Sequence, residues 1–349
     1  MSDTTVIIPV REMHQFDEGA LHDYLKAHVE DFKGPLTVKQ FQGGQSNPTF
    51  LLETPARDYV MRKKPPGTLL PSAHAVDREY RVISALRDTN VPVPKTYCLC
   101  EDPDVIGTAF YVMEKIDGRV LTDPALAGLT PADRSAIYDS MNDALAKMHN
   151  VDVDAVGLED FGRKGGYLAR QVSRWTKQYR ASQTHELEGM ENLIKWLPDN
   201  LPGNDESTIV HGDFRLGNLI LHPTEPRVLA ILDWELATIG HPLSDLAYNC
   251  MAYHYMHPVN GGLVGRNLEE LGIPSEQTYI DAYCKRTGRD GIDNWGFYIA
   301  FSLFRVTAIV QGVYKRGLDG NASSVVGEEY VKYAKMVADL GWSYAEKQR

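Results

Sequence analysis

The sequence predicts an α+β fold of two lobes, a β-rich first third followed by a mostly α-helical remainder. Three observations predict it. Short β-rich runs separated by turn formers fill the chain up to residue 115. After Asp117-Gly118 that pattern gives way to apolar residues at helical spacing. Between residues 209 and 235, Asp and Asn stand at the ends of short apolar strands. The 349 residues are 43% hydrophobic and 24% charged, enough to bury a sizeable core in each of two lobes, 1–115 and 116–349.

The elements follow in order. Residues 36–42, 49–53 and 58–63 read as strands, the first two joined by a segment rich in Gly, Ser, Asn and Pro. A Pro-rich break leads to a helix over 72–87, capped by Ser72, with Val76, Tyr80, Ile83 and Leu86 on one stripe. Strands over 95–100 and 109–115 complete the first lobe, and residues 114–118 form the hinge. In the second lobe 131–149 is an amphipathic helix and 166–196 is largely helical. Strands follow at 208–210, 219–222 and 228–232, then helices from 243 onward, broken near 258–262, 272–274, 288–291 and 317–323. The run 294–314 is apolar enough to suggest a membrane span. Arg305 near its centre would cost about 2.5–3.5 kcal/mol in a bilayer, so a buried helix is expected instead.

Charge and cysteines narrow the function. The net charge is −11, from 36 basic and 47 acidic side chains, which argues against a general nucleic-acid binder. The four cysteines include no C-x-x-C pair, so neither a disulfide framework nor a zinc ribbon is expected. Residues 1–10 lack the basic and apolar regions of a signal peptide. The expectation is a cytoplasmic monomer or homodimer that engages neither nucleic acid nor membrane.

The chemistry concentrates in IVHGDFRLGNLILHPTEPRVLAILDWE, residues 209–235. Asp213 follows one strand, Asn218 opens the next, and Asp233 ends the third, so all three converge at one edge. Asp and Asn also brace ordinary turns, but the joint spacing fits phosphoryl transfer better. That reaction needs one carboxylate for the attacking hydroxyl, with a second carboxylate and an amide oxygen for Mg²⁺.

HGDFRLGN (211–218) with LDWE (232–235) resembles the aminoglycoside phosphotransferase/choline kinase-like family, which shares the protein-kinase fold. The resemblance covers about residues 36–314 and implies an ATP- and Mg²⁺-dependent enzyme acting on a small-molecule hydroxyl. By it, Asp213 is the catalytic base and Asn218 and Asp233 are metal ligands. His211 braces the loop, and Arg215 touches the transferred phosphoryl group. Many antibiotic kinases carry a small residue at the last position, which makes an antibiotic acceptor less fitting.

The resemblance implies further parts upstream. Gly43, Gly44, Gln45, Ser46 and Asn47 would form the phosphate-covering loop, although a Gly-Gly pair between strands is also a common hairpin turn. The third strand should offer a cation to the α/β-phosphates. Arg62 stands where most of the family has lysine, with Lys63 beside it, and alternation with Val60 favours Arg62. Glu79 is the expected carboxylate partner, and the backbone from Glu114 to Ile116 would meet the adenine edge. Asp245 reads as a loop brace rather than a catalyst. Arg305, Gln311, Tyr314 and Arg316 share one helix that could line an acceptor pocket, although Arg305 reads equally as a buried arginine satisfied by a carboxylate or by carbonyls.

Residues 61–67, HGDFRLGN and AIVQGVYKR (308–316) resemble the kinase-type domain fused to acyl-CoA dehydrogenases. This suggests a hydroxyacyl-CoA or hydroxy acid as acceptor. No flavin dehydrogenase domain fits in this chain. An aminoglycoside or amino-alcohol kinase, and a kinase-like nucleotide-binding module without turnover, remain the alternatives.

Overall fold

The structure, a computed structural model, describes residues 6–42, 47–66, 74–319, 327 and 329–348. The first lobe is built on strands β1 (Ile7–Ile8), β2 (Thr37–Phe41), β3 (Thr49–Glu53), β4 (Tyr59–Lys63), β5 (Thr96–Cys100) and β6 (Phe110–Glu114). They form one antiparallel sheet in the order β1-β2-β3-β4-β6-β5. Helix α1 (Glu18–His28) precedes β2, α2 (Val76–Leu86) links β4 to β5, and the short α3 (Pro103–Ile106) links β5 to β6.

Every residue of β4 is buried, because helices cover both sheet faces. Leu21 and Leu25 of α1 pack with Tyr59 and Met61 on the outer face. Val60 and Tyr111 join α2 on the inner face. The sequence reading counted one helix in this lobe. It missed α1 because Leu21 and Leu25 are its only buried positions in an otherwise polar segment capped by Asp17. The helix expected over 72–87 begins at Val76 after Ala75, which provides no side-chain cap. Ser72 lies outside the described residues.

The second lobe contains α4 (Pro131–His149), α5 (Tyr167–Ser182), α6 (Glu188–Asp199), strands β7 (Thr208–Val210), β8 (Leu219–Leu221), β9 (Val228–Ile231) and β10 (Thr238–Gly240), then α7 (Pro242–Cys250), α8 (Leu268–Leu271), α9 (Glu276–Thr287), α10 (Trp295–Leu318) and α11 (Glu329–Glu346). The helical stretch 166–196 is two helices with a break at 183–187. β10, unforeseen, pairs antiparallel with β7, and β8 pairs with β9. α10 is long and apolar enough to cross a membrane, but 83% of its apolar window is buried. It packs against α5, α6, α7 and α11 as the axis of the lobe.

The hinge demands glycine. A Cβ at Gly118 would lie 2.2 Å from the Ile220 side chain and 2.4 Å from the Leu221 carbonyl. This close approach lets Arg119 pair with Leu221 in both directions at 2.8 Å, which ties the segment after β6 to the strand that follows Asn218.

Candidate active site

β7 delivers the chain into His211-Gly212-Asp213. His211 is fully buried, and its Nδ1 accepts from the Asp213 amide at 3.1 Å. That assigns the proton to Nε2, which donates to the Leu232 carbonyl at 2.8 Å. The imidazole thus ties the loop to the residue before Asp233. Gly212 has φ +82°, and a Cβ there would sit 2.9 Å from Leu236.

Asp245 reaches this loop from the first turn of α7. Its carboxylate accepts from the amides of His211 at 2.5 Å and Gly212 at 2.9 Å, with His149 Nε2 at 3.6 Å. Burial alone would raise its pKa, but His149, His211 and the amide hold it below the ordinary carboxylate value. Asp245 is a brace, as the sequence suggested.

Asp213 is partly buried. Its Oδ2 accepts from Asn218 Nδ2 at 2.8 Å and from Arg215 Nε at 3.4 Å. Asn218 can reach back because residues 216–218 form a single 3₁₀ turn, and its Nδ2 also holds the Asp213 carbonyl at 2.8 Å. Tyr248, one helical turn beyond Asp245, lies near Asp213, and burial together with that carboxylate pushes its pKa well up. The Tyr248 contact was not foreseen. Its spacing of three from Asp245 on one helix was the available signal.

Asp233 follows β9 in the left-handed region, at φ 65° and ψ 60°, a conformation that costs a non-glycine residue about 1–3 kcal/mol. Pairing of Leu219 with Ile231, and a 2.8 Å bond from the Leu232 amide to the Asn218 carbonyl, set Asn218 beside Asp233. Asp213, Asn218 and Asp233 therefore converge.

The opposite wall centres on Arg62. Its Nη1 lies 3.2 Å from Glu79 Oε2 and its Nη2 lies 3.1 Å from Asp233 Oδ1. Arg62, and not Lys63, faces the cleft. Lys63 Nζ lies 5.8 Å from the ring centroids of Phe16 and Phe50 on the far side of the sheet. Burial opposes charge on both Arg62 and Glu79. It lifts the Glu79 pKa, while Glu79, Tyr111 and Asp233 outweigh it and hold Arg62 charged.

Glu79 has two further donors, Asn47 Nδ2 at 2.6 Å and the Tyr111 hydroxyl at 3.0 Å. The Asn47 side chain is fully buried, with Nδ2 on Glu79 and Oδ1 on His74 at 3.1 Å, so it orients the Arg62 partner, which leaves only its backbone for the phosphate-covering role expected of it. Gly43, Gly44, Gln45 and Ser46 lie outside the described residues. At the hinge, the Glu114 amide donates to the Lys95 carbonyl at 2.7 Å.

The four residues of α10 separate. Arg305 reaches the His211–Asp213 loop, where its Nη2 donates to the Gly212 carbonyl. Gln311 instead donates to the Ser182 carbonyl at 3.2 Å and to Thr184 Oγ1 at 2.5 Å, Tyr314 packs beside His185, and Arg316 is exposed. Gln311 and Tyr314 tie α10 to the end of α5, because they lie about two turns along the helix from Arg305.

A family model described as "Phosphotransferase enzyme family" matches residues 37–283, which include both walls. The chain belongs to this family. Its kinase-like fold recurs in a Ralstonia eutropha crystal structure provisionally described as an aminoglycoside phosphotransferase. That protein is 51% identical, covers 95% of this chain and 99% of its own, and superimposes with a TM-score of 0.88. An aminoglycoside phosphotransferase solved with AMP-PNP and hygromycin B has a TM-score of 0.60 at 14% identity, covering 93% of this chain and 98% of its own, and so shares the fold alone. Mouse acyl-CoA dehydrogenase family member 10 is 49% identical over 97% of this chain and 32% of its own length. Human acyl-CoA dehydrogenase family member 11 is 44% identical over 99% of this chain and 45% of its own. The phosphotransferase chain thus spans less than half the length of these two relatives.

The donor set fits Mg²⁺. Asn218 commits its amide nitrogen to Asp213, which leaves its oxygen for a cation, and Asp233 adds a carboxylate. Among the described residues no group of three or more His, Cys, Asp or Glu could hold a metal. Two protein oxygens completed by phosphates and water suit Mg²⁺, which keeps much of its own shell.

Proposed function

We propose that the protein is an ATP- and Mg²⁺-dependent kinase that transfers the γ-phosphoryl group to a hydroxyl of a small molecule, a hydroxyacyl-CoA or hydroxy acid. The observation that carries this reading is the convergence of Asp213, Asn218 and Asp233 opposite a charged Arg62. Asp213 orients the acceptor hydroxyl and receives its proton. Arg62 exchanges Asp233 for the α/β-phosphates as nucleotide enters, while Glu79 keeps it aimed. Arg215, at 3.4 Å from Asp213, meets the charge on the moving phosphoryl group. Mg²⁺, held by Asn218 and Asp233, would neutralise phosphate charge.

Two considerations support the acceptor class. The relatives named acyl-CoA dehydrogenases share nearly this whole chain. Asp213 is bonded by the Asn218 amide and the cation Arg215, which suit an acceptor that is neutral or anionic near its hydroxyl. A polyamine antibiotic wants carboxylates there. The test is Mg²⁺-dependent ADP release with hydroxyacyl-CoAs, hydroxy acids, choline, homoserine and aminoglycosides. Stimulation by the acyl or acid acceptors supports the reading. Stimulation confined to aminoglycosides moves the acceptor to the class named for the Ralstonia relative.

A further inference from the structure

Arg305 is a charged side chain in the middle of the most apolar helix, and it is 6% exposed. Among the described residues it has no ion-pair partner, and its Nε is buried without a hydrogen bond. A buried cation lacking a counter-ion is costly, and an apolar side chain of the same length would pack at lower cost. Its contacts indicate what offsets that cost.

The guanidinium lies between two rings, 5.3 Å from the centroid of Trp175 on α5 and 4.8 Å from that of Tyr248 on α7. Held there, Nη2 donates to the Gly212 carbonyl. That carbonyl belongs to the peptide joining Gly212 to Asp213. The other end of the same peptide, the Asp213 amide, donates to His211 Nδ1 at 3.1 Å. One peptide plane is thus gripped at both ends, and it is the plane that aims Asp213. Gly212, at φ +82°, has the freedom to let that plane turn if one grip is lost. Tyr248, the ring on which Arg305 rests, also lies near the Asp213 carboxylate, whose charge raises its pKa.

We propose that Arg305 is a positioning residue for phosphoryl transfer, fixing the Gly212–Asp213 peptide so that the Asp213 carboxylate meets the acceptor hydroxyl. The inference rests on the kinase reading of Asp213. Arg305 acts through the loop and touches no substrate. Its loss should therefore lower kcat and leave nucleotide affinity in place. A residue that merely fills the core would lower stability throughout the lobe.

The full chain carrying Arg305→Met or Arg305→Lys is compared with wild type in two ways. The first is kcat and KM for Mg·ATP with the acceptor identified by the panel. The second is amide hydrogen exchange, which needs no acceptor. Arg305→Met should lower kcat about 10- to 100-fold, the effect of one charged hydrogen bond, with KM for ATP within about twofold. Exchange at residues 211–216 should quicken about tenfold while α5, α7 and α10 keep wild-type protection. Arg305→Lys should recover part of both, since one N–H can still reach the carbonyl. Wild-type kcat and exchange in Arg305→Met would overturn the proposal. So would a uniform loss of protection across α5, α7 and α10 that Arg305→Lys does not relieve. If Arg305→Met does not fold, Arg305→Lys alone decides, by a lower kcat with faster exchange at 211–216 or by neither. If wild type phosphorylates nothing, the kinase reading falls by itself, and the exchange comparison still judges Arg305.

Discussion

The two walls of the cleft are held by different chemistry. The first-lobe wall rests on charge, with Arg62 bridging Glu79 and Asp233 at 3.2 and 3.1 Å. The second-lobe wall rests on bonds directed at backbone, with Asp245 on two amides, His211 on a carbonyl and an amide, and Arg305 on a carbonyl. A charge pair can exchange one partner for another of the same sign, so Arg62 can pass from Asp233 to a phosphate. Backbone-directed bonds have no such substitute. The wall proposed to meet nucleotide is built to rewire, and the wall that carries Asp213 is built to stay.

The comparison breaks most visibly at Asp245. Asp245→Ala leaves two buried amides without their acceptor and removes the carboxylate beside His149. It should cost about 3–5 kcal/mol, and kcat should collapse with it. A urea melt and turnover measured on the same sample check this. Loss of activity without loss of stability would mean that the loop is not braced from α7.

Glu79→Gln tests the other wall. Arg62 keeps Asp233 but loses the carboxylate that aims it, so KM for ATP should rise about 10- to 100-fold with a smaller change in kcat. Steady-state kinetics over a range of Mg·ATP separates the two. An equal fall in kcat at unchanged KM would place Glu79 in the chemical step.

How much of this was legible in the sequence differs between the walls in the same way. The second-lobe cluster lies within 25 residues, and local strand pairing brings Asp213, Asn218 and Asp233 together, so their spacing announced them. Arg62 and Glu79 lie on adjacent elements and could be paired by strand and helix periodicity. Arg305 is 93 residues from Gly212 in the chain, and Asn47 is 32 from Glu79. Only the packing of α10 into the lobe and the return of the β3 edge toward α2 create those contacts. The first helix escaped for a related reason: its apolar stripe is two residues wide, and its partner is a sheet face that the strand pattern alone left open.

The smallest expected effect is on pH. His149 is held below 6.5, first by burial, and Asp245 below 3.8. Below 6.5 the unfolded chain takes up a proton that buried His149 does not, so stability falls as pH drops through that window. The Asp245 contribution is complete above 3.8 and is lost as pH falls through its depressed folded value. Both losses are read together as a falling thermal midpoint from about pH 7 to about pH 3. Asp245→Asn should flatten the most acidic part of that curve and leave the part below 6.5.

The most direct test of the central claim compares Asp213→Ala with wild type in two measurements on one preparation, Mg·ATP affinity by calorimetry and acceptor-stimulated ADP release. If Asp213 serves the acceptor hydroxyl while Arg62 and Asp233 serve the nucleotide, release should fall by about 10³-fold or more, with Mg·ATP affinity within about twofold of wild type. Acceptor-stimulated release that survives in Asp213→Ala, or nucleotide affinity that disappears with it, would contradict the division of labour between the two walls.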